Sequence, residues 1–187
     1  MENSFDLQPT LSNAFVRIQP LQTSDFETLY AAASDPLVWA QHPNPNRYQR
    51  EIFETFFQGA IASGGAFLVS DAATGQAIGS SRFYDLDLPN KTVVIGYTFL
   101  AKDHWGSTYN PALKSLMLNH AFQFVDKVEF HIGAENVRSQ KAIERLGAEK
   151  IAAKEVAYHG EPLKLNYIYQ MTKERWENLS SATSSKQ

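Results

Sequence analysis

The chain of 187 residues contains no cysteine. That absence excludes a disulfide framework, a thiolate nucleophile and a Cys-based zinc site. Its five histidines include no His-x-x-x-His pair, so no metal site is expected. Basic residues are in slight deficit, with 17 Lys and Arg against 20 Asp and Glu. A chain of net charge −3 lacks the surplus needed to neutralise phosphates, so general nucleic-acid binding is not expected. No apolar run approaches the length of a membrane span, and Met1 to Pro9 is polar and acidic, unlike a signal peptide. A cytoplasmic location without membrane attachment is the resulting expectation.

What is present suits one folded unit. Hydrophobic residues make up 43%, with twelve Phe, enough for a sizeable core. Residues 1–12 read as an N-terminal extension, 13–179 as one domain and 180–187, rich in serine, as a disordered tail. Phe15 to Ile18 forms a short strand. Ser24 and Glu27 make a capping-box signature, followed by Phe26, Leu29, Tyr30 and Ala33 at helical spacing. Asp35-Pro36 ends that helix. A polar loop holding His42 and Arg47 leads to a second helix with Ile52, Phe53, Phe56, Phe57 and Ala60 on one face.

Two strands flank the turn Thr74-Gly75, and the second runs on to Tyr84. A fourth strand, Thr92 to Leu100, is apolar on both faces and so belongs in the middle of a sheet. After a turn-rich loop, Asn110 and Pro111 stand as N-cap and first residue of a helix. Val128, Phe130 and Ile132 alternate as a fifth strand. A short helix opening near Ser139 ends at Gly147, and two strands surround a hairpin at His159-Gly160. Thr172 starts a last helix. The pattern is mixed α/β around one central sheet of about seven strands.

Two constellations carry chemistry. The first is the fourth strand, the loop Trp105-Gly106 and the capped helix after it. The first N–H groups of a helix lack internal partners, and its dipole adds positive character, so such a unit receives pyrophosphate. A plain strand-to-helix connection is the alternative. The second is Asn136-x-x-Ser139 at the end of the fifth strand. These residues either cap a helix or contact a ligand lying between the two strand ends, where open α/β sheets bind.

Taken together, Ile95-Gly96-Tyr97-Thr98-Phe99-Leu100, Trp105-Gly106, Asn136-x-x-Ser139 and Ala142 to Ala148 resemble the GNAT superfamily of N-acetyltransferases. Within it they look like the branch of ribosomal-protein alanine N-acetyltransferases. The likeness spans about Phe15 to Trp176. It implies a GNAT fold splayed between the fourth and fifth strands, with acetyl-CoA as co-substrate in the splay. It further implies that backbone N–H groups near Phe99 and Leu100 polarise the thioester. Trp105, Gly106, Ser107, Thr108, Tyr109 and Asn110 would hold the pyrophosphate. Asn136 would bind the cofactor arm, and Ser139 would lie near the sulfur.

This chain departs from the family at four positions. Asp103 replaces the usual Gln or Arg, and Thr108 the second glycine. Val94 replaces a glutamate, and Ile143 a tyrosine acid. Candidate groups for the acid–base work are Asp85, Tyr97 and His131, with His42 on the early loop and Ser139 beside the thiolate. Asp85 could simply cap a turn, Tyr97 belong to the core, and His131 lie on the surface. The function expected is acetyl transfer to a primary amine, a protein N-terminus or a small amine, by direct attack. A non-catalytic acyl-CoA-binding module of the same fold is the alternative. A homodimer is left open.

Overall fold

In the computed structural model, which describes residues 4–106, 108–157 and 162–184, the apolar alternation produces eight strands in one mixed sheet. Strands β1 (Leu11–Ser12), β2 (Val16–Pro20), β3 (Ala66–Asp71), β4 (Ala77–Asp87) and β5 (Thr92–Leu100) run antiparallel in sequence order. Beyond them lie β6 (Lys127–Gly133), β8 (Lys164–Thr172) and then β7 (Glu149–Val156) at the far edge. Helices α1 (Phe26–Ala33), α2 (Pro36–Trp39) and α3 (Arg50–Ala62) connect β2 to β3. Helix α4 (Tyr109–Ala121) joins β5 to β6, α5 (Val137–Leu146) joins β6 to β7, and α6 (Lys173–Ser184) follows β8.

The sheet separates two cores. One holds Phe53, Phe57, Trp39, Leu29, Leu68 and Phe99, on the side of α1 to α3. The other holds Leu113, Met117, Phe83, Phe130, Ile132 and Ile143, on the side of α4 and α5. Strand β5 supplies both, with Phe99 in the first and Val93, Ile95 and Leu100 in the second. Its double-sided apolar pattern therefore reflects its central place.

Several details differ from the sequence reading. The N-terminal segment adds β1 to the sheet edge, and Phe5 packs into the second core, 5.4 Å from the Phe83 ring. Helix α6 runs through Ser180 to Ser184, so those residues are helical rather than a loose tail. Pro36 ends one helix and starts another: Asp35 accepts from the Leu37 N–H at 2.8 Å, and the fixed φ of proline suits a first helical position. At the first helix it is Asp25, not Glu27, that bonds back, to the Gln22 N–H at 2.8 Å. Glu27 instead pairs with Arg50. The His159-Gly160 hairpin lies outside the described residues.

Candidate active site

Strands β5 and β6 are parallel, and they pair only at Thr92 with Lys127, Val93 with Val128 and Val94 with Glu129. Beyond that point β6 continues to bond β8 as far as Gly133 with Asn166, while β5 turns away along β4. A cleft opens between them, entered by the start of α4, the start of α5 and the loop between α2 and α3. The splay expected between the fourth and fifth strands is this gap.

A bulge in β5 shapes one wall. Arg82 pairs with Gly96 and Ser80 with Phe99, so Tyr97 and Thr98 together oppose Ser81. Tyr97 takes φ of 52°, which costs a non-glycine residue roughly 1–3 kcal/mol. Bulges re-aim side chains in this way beside active sites. Tyr97 turns toward Phe56 on α3, and Thr98 turns toward Lys114 on α4. The two residues thus serve opposite sides of the sheet.

The α4 side is built from backbone and helix ends. Trp105 folds back so that its Nε1–H donates to the Leu100 carbonyl at 2.9 Å, closing the loop. Gly106 has φ of 120°, and a β-carbon there would meet nothing within 4 Å. Its backbone is open to a ligand, and the conformation favours glycine. Thr108 is the N-cap with φ of −109°, so the position taken by a second glycine elsewhere needs none here. The helix thus begins at Tyr109, two residues before the expected start at Pro111, and Thr108 rather than Asn110 stands as N-cap. Tyr109 is an anchor rather than a wall: its hydroxyl donates to Asp71 at 2.6 Å. That bond, with N–H donors from Thr74 and Ala73, holds the Asp71 carboxyl down at about 2. Asp103 is exposed and outside the cleft wall, which removes the clash an acid there would cause with a phosphate.

Asn136 is buried and caps α5, its Oδ1 accepting from the Ser139 N–H at 3.1 Å. Capping and cleft lining coexist, because the cap uses only the amide oxygen. Ser139 and Ile143 line the cleft one turn apart. Arg138, given no role from the sequence, stacks its guanidinium 3.9 Å above Trp105 and donates to the Val38 carbonyl at 3.1 Å. It ties the start of α5 to α2.

The opposite side is built from long side chains. The His131 side chain is only 6% exposed, and its Nε2 lies 3.1 Å from Glu129 Oε2. It lines the cleft, so it is not a surface residue. The Tyr97 ring meets that of Tyr84 edge to face, and Arg82 sits 4.0 Å over the Tyr97 ring. Burial pushes the Arg82 guanidinium down to about 10, and its Nε is a buried donor lacking a partner among the described residues. Arg47, also buried, lies over the Phe56 and Trp39 rings. His42 is pushed down to about 3, first by desolvation and then by the charges of Arg47 and Arg138, so it stays neutral near pH 7.

Of the residues singled out in the sequence, the cleft brings together Tyr97, Phe99, Leu100, Trp105, Gly106, Asn110, Asn136 and Ser139, with His42 and His131. Asp85 is not among them. It is exposed, with φ of 48°, in a second bulge where β4 and β5 fall out of register. Thr108 and Tyr109 support the loop from outside the wall, and Ser107 lies outside the described residues. No metal-binding cluster occurs among the described residues, and no helix is long and apolar enough to cross a membrane.

Comparisons with known proteins agree with this geometry. A GCN5-related N-acetyltransferase from Brucella melitensis superposes with a TM-score of 0.83 at 19% identity, covering 95% of this chain and 85% of its own. RimJ from Mycobacterium smegmatis, in complex with CoA-disulfide, gives 0.70 at 15% identity, over 90% and 89% of the two chains. Spermidine N-acetyltransferase from Vibrio cholerae, in complex with CoA and spermine, gives 0.66 at 15%, over 89% and 100%. No curated protein matches in sequence. The family model described as the acetyltransferase (GNAT) domain matches residues 16–149, and the chain belongs to the GNAT family of acetyltransferases.

Proposed function

We propose that this cleft binds acetyl-CoA and passes its acetyl group to a primary amine, either a peptide N-terminus or a small amine, by direct attack. The parting of β5 from β6 after Val94 and Glu129 carries the reading, because it opens a slot beside a helix start. The donor set fits the cofactor. Backbone N–H groups at Gly106 and the start of α4 suit a pyrophosphate, and Asn136 suits the amide-rich arm. When bound, acetyl-CoA supplies an activated acyl group as a thioester. Leu100, just past the bulge, offers its backbone N–H for the carbonyl, while alternation along the strand turns that of Phe99 toward β4. The Ser139 hydroxyl steadies the departing sulfur.

An attacking amine must arrive neutral, so its proton needs an acceptor. His131 is the best placed, within the wall and held in orientation by Glu129. His42, held neutral far below its usual range, accepts a hydrogen bond from the amine rather than its proton. Asp85 takes no part, since it does not line the cleft. Tyr97 positions the acceptor as a wall.

The test is thiol release from acetyl-CoA across a panel of peptides and small amines. Acetylated product with at least one acceptor is the expected result. Calorimetric binding of acetyl-CoA with no transfer to any amine would favour a binding module instead.

A further inference from the structure

One cation in the cleft has no part in that chemistry. Lys114, on the first half of α4, is only 4% exposed. Its Nζ donates to Thr98 Oγ1 at 2.6 Å, and that oxygen shares a hydrogen bond with Ser81 Oγ at 2.8 Å. The same Nζ lies 5.8 Å from the Phe130 ring centroid. Phe130 on β6 directly follows Glu129, the last residue there to pair with β5, and Thr98 on β5 lies four residues past Val94. The ammonium therefore stands at the fork where the cleft begins, on the α4 side.

Nothing there neutralises it. No carboxylate pairs with Lys114 among the described residues. Thr98, Ser81 and Phe130, which face it from β5, β4 and β6, are uncharged. The ionisable residues elsewhere in the wall are His42, Arg47, Tyr97, His104, His131 and Arg138, none of them a carboxylic acid. A buried ammonium without a counter-charge is costly. Negative charge forming at the fork would be matched by Lys114 at once.

Resting on the acetyl-transfer reading, we infer that Lys114 is the proton donor to the sulfur that leaves when the acetyl group is transferred. Two observations favour it over its neighbours. Ile143, which lines the cleft one turn after Ser139, has an aliphatic chain with no proton to give, and the Ser139 hydroxyl is too weak an acid to supply one near neutrality. Desolvation pushes Lys114 down to about 7, where a group gives up and regains a proton readily. The step balances. The acceptor nitrogen bonds to the acetyl carbon as the carbon–sulfur bond breaks, and the sulfur keeps that electron pair. Lys114 gives the sulfur one proton, and the proton lost by the amine leaves on the other side of the sheet through His131. Neutral Lys114 regains a proton from solvent after the thiol departs.

The experiment compares wild type, Lys114→Met and Lys114→Arg. Ultraviolet absorbance of the thiolate follows the ionisation of CoA bound to each protein. A cation beside the sulfur lowers its pKa. In Lys114→Arg the bound thiol should ionise about one pH unit lower than in Lys114→Met, and in wild type the shift has the same sign but is smaller, because Lys114 itself gives up its proton near 7. Turnover should fall about a hundredfold in Lys114→Met. It should stay low in Lys114→Arg, which keeps the charge but cannot release a proton. Acetyl-CoA affinity by calorimetry should change by less than about threefold. Equal thiol titrations in wild type and Lys114→Met would overturn the inference, as would undiminished turnover. Recovery of Lys114 as acetyl-lysine after turnover would also overturn it, by making the side chain an acceptor. If Lys114→Met fails to fold, Lys114→Gln takes its place. Failure of the wild-type protein to bind CoA would overturn the underlying reading, and a CoA complex without the thiol shift would overturn the inference alone.

Discussion

The two sides of the cleft are built in different ways. The α4 side uses backbone groups, a glycine, a helix start and a capping asparagine, all drawn from two short segments of chain. The opposite side uses His42, Arg47, Tyr97 and His131, backed by Arg82 against Tyr97 and Glu129 against His131, drawn from four segments and assembled only by folding. A site made of backbone leaves a spacing in the sequence. A site made of side chains from distant elements leaves no spacing, because any of those residues could equally be core or surface.

That difference explains what the sequence revealed. The strand–loop–helix unit and Asn136-x-x-Ser139 were legible, since caps and turns are local devices. His131 could not be distinguished from a surface residue, because alternation along β6 tells its face but not that β5 leaves it. Asp85 attracted a role as an acid at a strand end, and the second bulge puts it outside the cleft. The bulge at Tyr97 is invisible in composition, since nothing in Gly96-Tyr97-Thr98 demands a positive φ. Lys114 was hidden inside an otherwise apolar helix stripe. Arg138 stood within a recognised motif, yet its stacking on Trp105 depends on a loop 33 residues earlier in the chain (138 less 105).

The contrast can be broken hardest at Trp39. It is fully buried, donates to the Ala33 carbonyl at 2.7 Å and packs 4.7 Å from the Phe99 ring. Trp39→Ala should destabilise the protein by about 3–5 kcal/mol in urea titration. In protein that remains folded, the Michaelis constant for the amine should rise while acetyl-CoA affinity holds. Equal loss of both would mean the two sides are not separable.

Next in size is His131→Gln, which keeps a hydrogen bond to Glu129 but cannot take a proton. Acetyl transfer should drop about a hundredfold at neutral pH with acetyl-CoA binding unchanged. Stopped-flow thiol release and calorimetry measure the two quantities separately.

Gly106→Val addresses the other side. Strain at φ of 120° and a blocked approach should weaken acetyl-CoA binding by roughly tenfold, or about 1.4 kcal/mol. A β-carbon at this position meets nothing within 4 Å beyond its chain neighbours, so the melting temperature should move little.

The smallest effect is a pH dependence at Lys114. Its folded-state pKa, about 7, is below the usual lysine value, so the unfolded chain holds more protons between the two. Wild-type stability should therefore rise as pH climbs from about 7 toward 10.5, other groups apart. Lys114→Met lacks this titration. It should melt at least about 2–4 °C higher than wild type at pH 7, the shift that 1 kcal/mol gives in a chain of this size. The gap should close as pH rises. A gap that is constant with pH would show that the ammonium is not desolvated.

A crystal structure of the protein with CoA tests the central claim most directly. The cofactor arm should lie between β5 and β6, its pyrophosphate at Gly106 and the start of α4, and its sulfur beside Lys114 and Ser139. CoA bound elsewhere on the surface, or β5 and β6 paired past Val94 and Glu129 with the slot closed, would contradict it.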